Sequence, residues 1–139
     1  MALVLDTGPI LAALDIDDPD HIPCADLLGT SREPLVVVGP TLVEIDYWIR
    51  KRLPLQVWQT FVEDLESGAY RLVSLEPSDV SRAAELEQQY ADLDLGFVDA
   101  AVIAICERLQ EDKVATLDRR HFAAVRPAHC ETLRLLPEP

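Results

Sequence analysis

At 139 residues and 49 % hydrophobic content, the chain is long enough to form one compact domain, residues 1–139, around one core. A formal charge of −13 argues against simple nucleic-acid binding, because a polyphosphate repels such a chain unless basic groups gather locally or a cation intervenes; a metal site or a basic protein partner suits it better. With Asp6 inside its first apolar run, no stretch near the ~20 apolar residues a membrane span needs, no Asn to glycosylate, and three dispersed cysteines (Cys24, Cys106, Cys130), the chain is expected to be soluble and cytoplasmic with reduced thiols.

The first predicted strand is ALVL, residues 2–5, and Asp6-Thr7-Gly8-Pro9 then turns the chain into a helix. Asp17, Asp18 and Asp20 lack the glycine and terminal glutamate of a calcium loop and read as a solvated turn and helix cap. A second strand, LVVV (35–38), precedes a helix beginning near Thr41, and Pro54 opens another with Leu55, Trp58, Phe61, Val62 and Leu65 at helical spacing. YRLV (70–73) is the third strand, followed by a helix capped by Ser78 or Asp79 that carries Val80, Ala83, Ala84, Glu87 and Tyr90. Residues 97–111 form one long helix, and KVATL (113–117) and TLRLL (132–136) are the last strands. The strand runs mostly lack polar alternation, as strands buried on both faces do, and their alternation with helices implies right-handed crossovers and a parallel sheet. Sites in such sheets form beyond the carboxyl ends of the strands.

Four acids occupy or adjoin that edge. Asp99 interrupts the apolar run LGFVDAAVIAIC. On a helix over 97–111 the residues Ala100, Ala104, Glu107, Arg108 and Glu111 share the solvent stripe, whereas Asp99 aligns with Ile103 and Cys106 and points toward the core. A lone charge there costs several kcal/mol unless it is compensated, and a cap on the apolar face is the less natural explanation. Each of the others has an ordinary structural role available. Asp6 resembles a helix cap, Glu44 completes a capping box with Thr41, and Asp118, at the end of the fourth strand, fits an Asx turn. In combination they can converge on one pocket, where mutual repulsion is tolerable only beside a cation. Carboxylate oxygens suit Mg²⁺ or Mn²⁺, and an ion so held acidifies water and grips phosphate oxygens, which is phosphodiesterase chemistry.

VLDTGPILA, PTLVEIDY, LGFVDAAVIA and ATLDRRHF resemble, in order and spacing, the four signature blocks of PIN-domain ribonucleases, and most closely the VapC-type toxins of bacterial toxin–antitoxin pairs. The likeness runs from residue 3 to about residue 136. It implies a three-layer α/β/α fold with a mostly parallel sheet of four to five strands. It also implies that Asp6, Glu44, Asp99 and Asp118 bind Mg²⁺ or Mn²⁺ and activate water for RNA cleavage. Thr7 matches the small hydroxyl residue after the first acid, and Thr116 matches a polar residue that supports the last; both join the substrate-binding candidates. Gly8 departs from the Ser of many relatives. The family's usual biology implies a homodimer held inactive by a small antitoxin with a basic segment reaching the acidic pocket.

RNA must still be attracted. Arg119 and Arg120 are the best candidates for phosphate contact, since the chain holds them next to Asp118. Arg50, Lys51 and Arg52 are cations at a helix end, where the dipole favours them and Asp46 can pair with Arg50. His121 is open between a general acid and a packed side chain, and Trp48, Trp58 and Phe61 are expected in the core or at a dimer seam. Two rivals stand: a catalytically silent protein-binding module, and a phosphohydrolase using a covalent aspartyl intermediate. The second wants an acid two residues after its nucleophile, where this chain has Gly8. Walker, GxGxxG and GxSxG sequences are absent.

Overall fold

In the computed structural model, which describes residues 1–139, five parallel strands form one sheet in the order β3-β2-β1-β4-β5. These are β1 (Leu3–Leu5), β2 (Leu35–Val38), β3 (Arg71–Val73), β4 (Lys113–Ala115) and β5 (Arg134–Leu136), each lying within its expected run and most of them trimmed at the ends. Seven helices alternate with them: α1 (Thr7–Leu14), α2 (His21–Thr30), α3 (Thr41–Arg52), α4 (Leu55–Ser67), α5 (Pro77–Gln89), α6 (Phe97–Leu109) and α7 (Arg119–Ala124), with a 3₁₀ turn over Ala91–Leu93. No helix is long and apolar enough to cross a membrane.

The pleat divides the strand residues between two apolar clusters. Leu3, Leu5, Val37 and Ala115 pack against Ile10 of α1, Ile45 and Ile49 of α3, and Phe61 of α4. Val4, Val36, Val38 and Val114 face the other way, onto Ala83 and Leu86 of α5, Val102, Ile103 and Cys106 of α6, and Phe122 of α7. A sheet covered on both sides explains why its strands carry apolar residues at successive positions. The result is three layers, as the sequence implied.

Two expectations about helices are corrected. The stripe of α6 assigned to solvent is largely buried: Ala100 and Ala104 are 0 % and 2 % exposed. Their small side chains let α5 pack directly against α6, which makes α6 a central helix buried around most of its circumference. The helix stops at Leu109, where Gln110 takes a left-handed conformation, and buried Glu111 accepts from the Ala2 amide at 2.8 Å. Glu107 is held by a two-pronged contact with Arg82 of α5, at 2.8 and 3.0 Å.

The second correction concerns the start of α5, which is capped at Glu76, ahead of Ser78 and Asp79. Pro77 fills the first helical position, where a missing N–H costs nothing. Asp79 instead reaches back to the Glu76 amide at 2.8 Å and accepts from Arg108 Nε at 3.1 Å, with only 4 % of its surface exposed. Asp79→Ala is therefore expected to cost about 2 kcal/mol in urea unfolding, through the lost cap and the lost bond from Arg108, which keeps its contacts with the Ser74 carbonyl and Glu76. A cost below about 0.5 kcal/mol would reduce these bonds to surface contacts.

Candidate metal centre

Strand order places the site. From β1 the chain moves outward through β2 and β3, then returns across β1 to form β4 and β5, so β1 and β4 flank the point where the winding reverses. The crevice outside their carboxyl ends is where open α/β sheets hold ligands. Asp6 follows β1 directly, and Thr116 and Asp118 follow β4, with the Asp6 amide donating to the Ala115 carbonyl at 2.8 Å. Glu44 lies in the first turn of α3 and Asp99 in the first turn of α6, both aimed at this edge by the strands and loops that precede them.

The helix-capping roles divide unevenly among the four acids. Glu44 does not close a box with Thr41. The Thr41 hydroxyl donates to the Val38 carbonyl at 2.7 Å, and Glu44 accepts the Thr7 hydroxyl at 2.6 Å. Asp6 occupies the cap position of α1 without a side-chain cap bond and accepts from Thr116 Oγ1 at 2.9 Å. Gly96 is the cap residue of α6, leaving Asp99 free of that duty. Asp118 alone caps: its carboxylate accepts the His121 amide at 3.1 Å at the start of α7.

Ligand atoms of Asp99, Asp118 and His121 all lie within 4.8 Å of one another. Asp6 and Glu44 adjoin this group, and their charges reach it. The Asp99 carboxyl is pushed up to about 6, first by burial and then by the charges of Asp6 and Asp118, with Glu44 adding to the effect and His121 opposing it. Burial also raises the Asp6 carboxyl, against the Thr116 hydrogen bond, and Glu44 and Asp118 push it further. Four carboxylates therefore share one field, and the native fold holds them together at an electrostatic cost.

His121 is the residue that sequence reasoning left open. Its Nδ1 meets Asp118 Oδ2 at 2.6 Å and its Nε2 meets the Leu93 carbonyl at 2.7 Å. Both contacts are to acceptors, so the ring fits them best with a proton on each nitrogen, and the Asp118 hydrogen bond raises its pKa accordingly. Its position three residues after Asp118, at a helix start, was the signal available in the sequence.

The remaining candidates are distributed as follows. The hydroxyls of Thr7 and Thr116, 7 % and 0 % exposed, face carboxylates of the site. Arg119 donates to the Pro137 carbonyl and lines a cavity of about 410 Å³ with Asp20, Leu117 and Glu138. Arg120 is exposed and forms no ion pair with an acid of the chain. Arg50 pairs with Asp46 at 3.2 Å, as its spacing suggested. Trp58 and Phe61 stack, with centroids 5.9 Å apart, whereas Trp48 lies on the surface at 37 % exposure, which excludes the core from its two expected places, core or dimer seam. A Cβ at Gly8 would meet Leu117 at 3.5 Å, an ordinary contact, so the local backbone has room for the serine of relatives.

The PIN-domain profile matches residues 3–126. Ribonuclease VapC26 of Mycobacterium tuberculosis (strain ATCC 25618 / H37Rv) is 31 % identical over 125 residues, covering 90 % of this chain and 93 % of that protein. Among solved structures, VapC20 of Mycobacterium tuberculosis, a toxin that cleaves the sarcin-ricin loop, matches with a TM-score of 0.81 at 16 % identity, covering 94 % of this chain and 99 % of its own. A toxin–antitoxin complex from Klebsiella pneumoniae matches at 0.68 and 17 % identity, covering 89 % and 92 %. The likenesses to solved structures concern the fold; the profile and the sequence relative span most of the chain, which therefore belongs to the PIN-domain family, among the VapC-type ribonucleases.

Proposed function

We propose that this chain is the toxin of a toxin–antitoxin pair, a cytoplasmic ribonuclease that hydrolyses RNA phosphodiester bonds at a divalent-metal centre held by Asp6, Glu44, Asp99 and Asp118. The observation that carries this reading is the gathering of four carboxylates at one sheet edge, with Asp99 driven up to about 6 by burial first and then by the charges of the other three. The donor set is rich in hard oxygen and suits Mg²⁺ or Mn²⁺. When bound there, such an ion supplies charge neutralisation, water activation and a grip on phosphate oxygen.

The chain's own part is positional. Thr7 fixes Glu44 and Thr116 fixes Asp6, each by one short hydrogen bond, so the oxygens are aimed before any ligand arrives. His121 balances part of the charge on Asp118. Arg120 is free to meet a substrate phosphate, and Arg119 can do so by exchanging the Pro137 carbonyl for it. The formal charge of −13 favours an antitoxin whose segment entering the pocket is basic. Likeness to a toxin–antitoxin complex supports that partnership, and the family's habit supports a homodimer.

The test is incubation of antitoxin-free protein with a mixed RNA pool in Mg²⁺, Mn²⁺ or chelator, followed by mapping of the cut ends. Cleavage at defined positions in one or both metals, abolished by chelator, is the expected result. Intact RNA in both metals, from protein that is folded by circular dichroism, would leave the silent binding module.

A further inference from the structure

An acidic nuclease has to hold a polyanion, and the most concentrated exposed cations lie on α3. At about 100° per residue, Glu44, Tyr47, Trp48 and Lys51 fall within an arc of about 100°, while Ile45 and Ile49 turn to the core. The face that presents Glu44 to the metal centre thus continues down the helix as an aromatic and cationic strip. Tyr47 and Trp48 are 44 % and 37 % exposed and meet edge to face, with centroids 5.1 Å apart. Lys51 Nζ lies 5.5 Å from the centre of the Tyr47 ring, and the Arg52 guanidinium 4.5 Å from that of Trp48. Neither cation forms an ion pair with an acid of the chain, in contrast to Arg50, which is tied to Asp46. Val43, 74 % exposed, extends the apolar part of the strip beside Glu44.

Exposed aromatic faces next to unpaired cations on a strongly negative protein fit one kind of ligand well: a flexible polyanion with flat apolar groups. We infer that Tyr47, Trp48, Lys51 and Arg52 form a platform for single-stranded RNA, stacking unpaired bases beside the scissile phosphate. The inference deepens the ribonuclease reading and rests on it for the direction in which the strand leaves the metal centre. Each base offers a π face, so the platform tolerates many sequences, whereas a duplex hides its faces in the stack. The two cations now resting on the rings shift to phosphates as bases take their place, so no unpaired charge is created. From Glu44 to Lys51 the helix rises about 10 Å, a short distance along an extended strand.

The experiment measures fluorescence anisotropy of a short labelled single-stranded RNA, in chelator so that it stays intact. Wild-type protein is compared with Tyr47→Leu/Trp48→Leu and with Lys51→Ala/Arg52→Ala. Each double variant is expected to weaken binding about 10- to 100-fold, and the cationic one to flatten the salt dependence of log K. The same sequence as a duplex is expected to bind more weakly than the single strand. In cleavage assays with metal, the loss should fall more on KM than on kcat.

Unchanged RNA affinity in both variants overturns the platform. If sedimentation then also shows the aromatic variant at half the wild-type mass, the face belongs to a second copy of the chain. The two proposals fail separately: wild-type protein that binds RNA through these residues but never cuts it refutes the nuclease, and metal-dependent cutting with unaltered KM in both variants refutes the platform.

Discussion

Asp99→Asn is expected to lower RNA cleavage by three orders of magnitude or more while making the metal-free protein more stable. On the proposed reading, the loss of activity follows from replacing a charged ligand carboxylate with a neutral amide, a larger change than disturbing an outer partner, which typically costs 10–100-fold. The gain in stability follows from electrostatics. Burial and the charges of Asp6 and Asp118 raise the Asp99 carboxyl from an ordinary value of 3.8 to about 6, so the native state retains this proton over a range in which the unfolded chain has released it. Between about pH 4 and pH 6 the native state binds more protons than the unfolded state, and stability falls as pH rises; above that window the full cost is present. A lift of this size corresponds to at most about 3 kcal/mol, and to roughly half of that for a carboxyl that keeps partial contact with water.

Urea denaturation in chelator across pH 3.5 to 8 separates the possibilities. Wild type and Asp99→Asn should coincide at the acid end and diverge through the window, with the variant about 1–2 kcal/mol more stable at neutral pH. Saturating Mn²⁺ should reverse the order, because ligand binding stabilises only the protein that retains the ligand. A variant that loses stability at neutral pH in chelator would show Asp99 to be a structural carboxylate and would remove the electrostatic basis of the metal centre.

The strands were legible because their apolar runs are short, β-branched and punctuated, and a sheet buried on both faces produces that pattern. The interior of α6 was not, because Ala100 and Ala104 are compatible with either a solvent face or a close helix contact, and only the position of α5 decides between them. Local rules also misplaced the cap of α5. Asp79 obeys the capping-box spacing, but from the third helical position, reaching back to Glu76. At the proposed site, the sequence named four candidate acids but not their hydrogen-bond partners. Thr7 meets Glu44 across 37 residues and Thr116 meets Asp6 across 110, contacts that follow from strand order and leave no local trace. The bond from Arg119 to Pro137 and the surface position of Trp48 likewise depend on which element lies next to which, something periodicity along one helix does not encode.

Thr116→Val carries the second large expected effect, and it tests whether the acidic centre is aimed by the scaffold or merely crowded. The Thr116 side chain is fully buried between the ends of two adjacent strands. Its hydroxyl donates to Asp6 Oδ2 at 2.9 Å and accepts the Asp118 amide at 3.0 Å, so one oxygen sets the position of two acids. Valine fills the same volume without the oxygen, leaving the buried Asp6 carboxylate without its side-chain donor and a backbone N–H without its acceptor. Divalent-metal affinity, followed by Mn²⁺ titration in a calorimeter, is expected to fall about 10- to 100-fold, and urea stability by about 1–3 kcal/mol. The Asp6 carboxyl should rise further, since Thr116 now holds it down against burial. Thr116→Ser restores the oxygen and removes only a methyl group, so it should recover most of the metal affinity while remaining about 1 kcal/mol less stable than wild type. If valine and serine bind Mn²⁺ equally well, the hydroxyl does not position the centre. If serine binds as weakly as a variant lacking Asp6 while valine binds like wild type, the methyl packing at β4 is what holds the two acids in place.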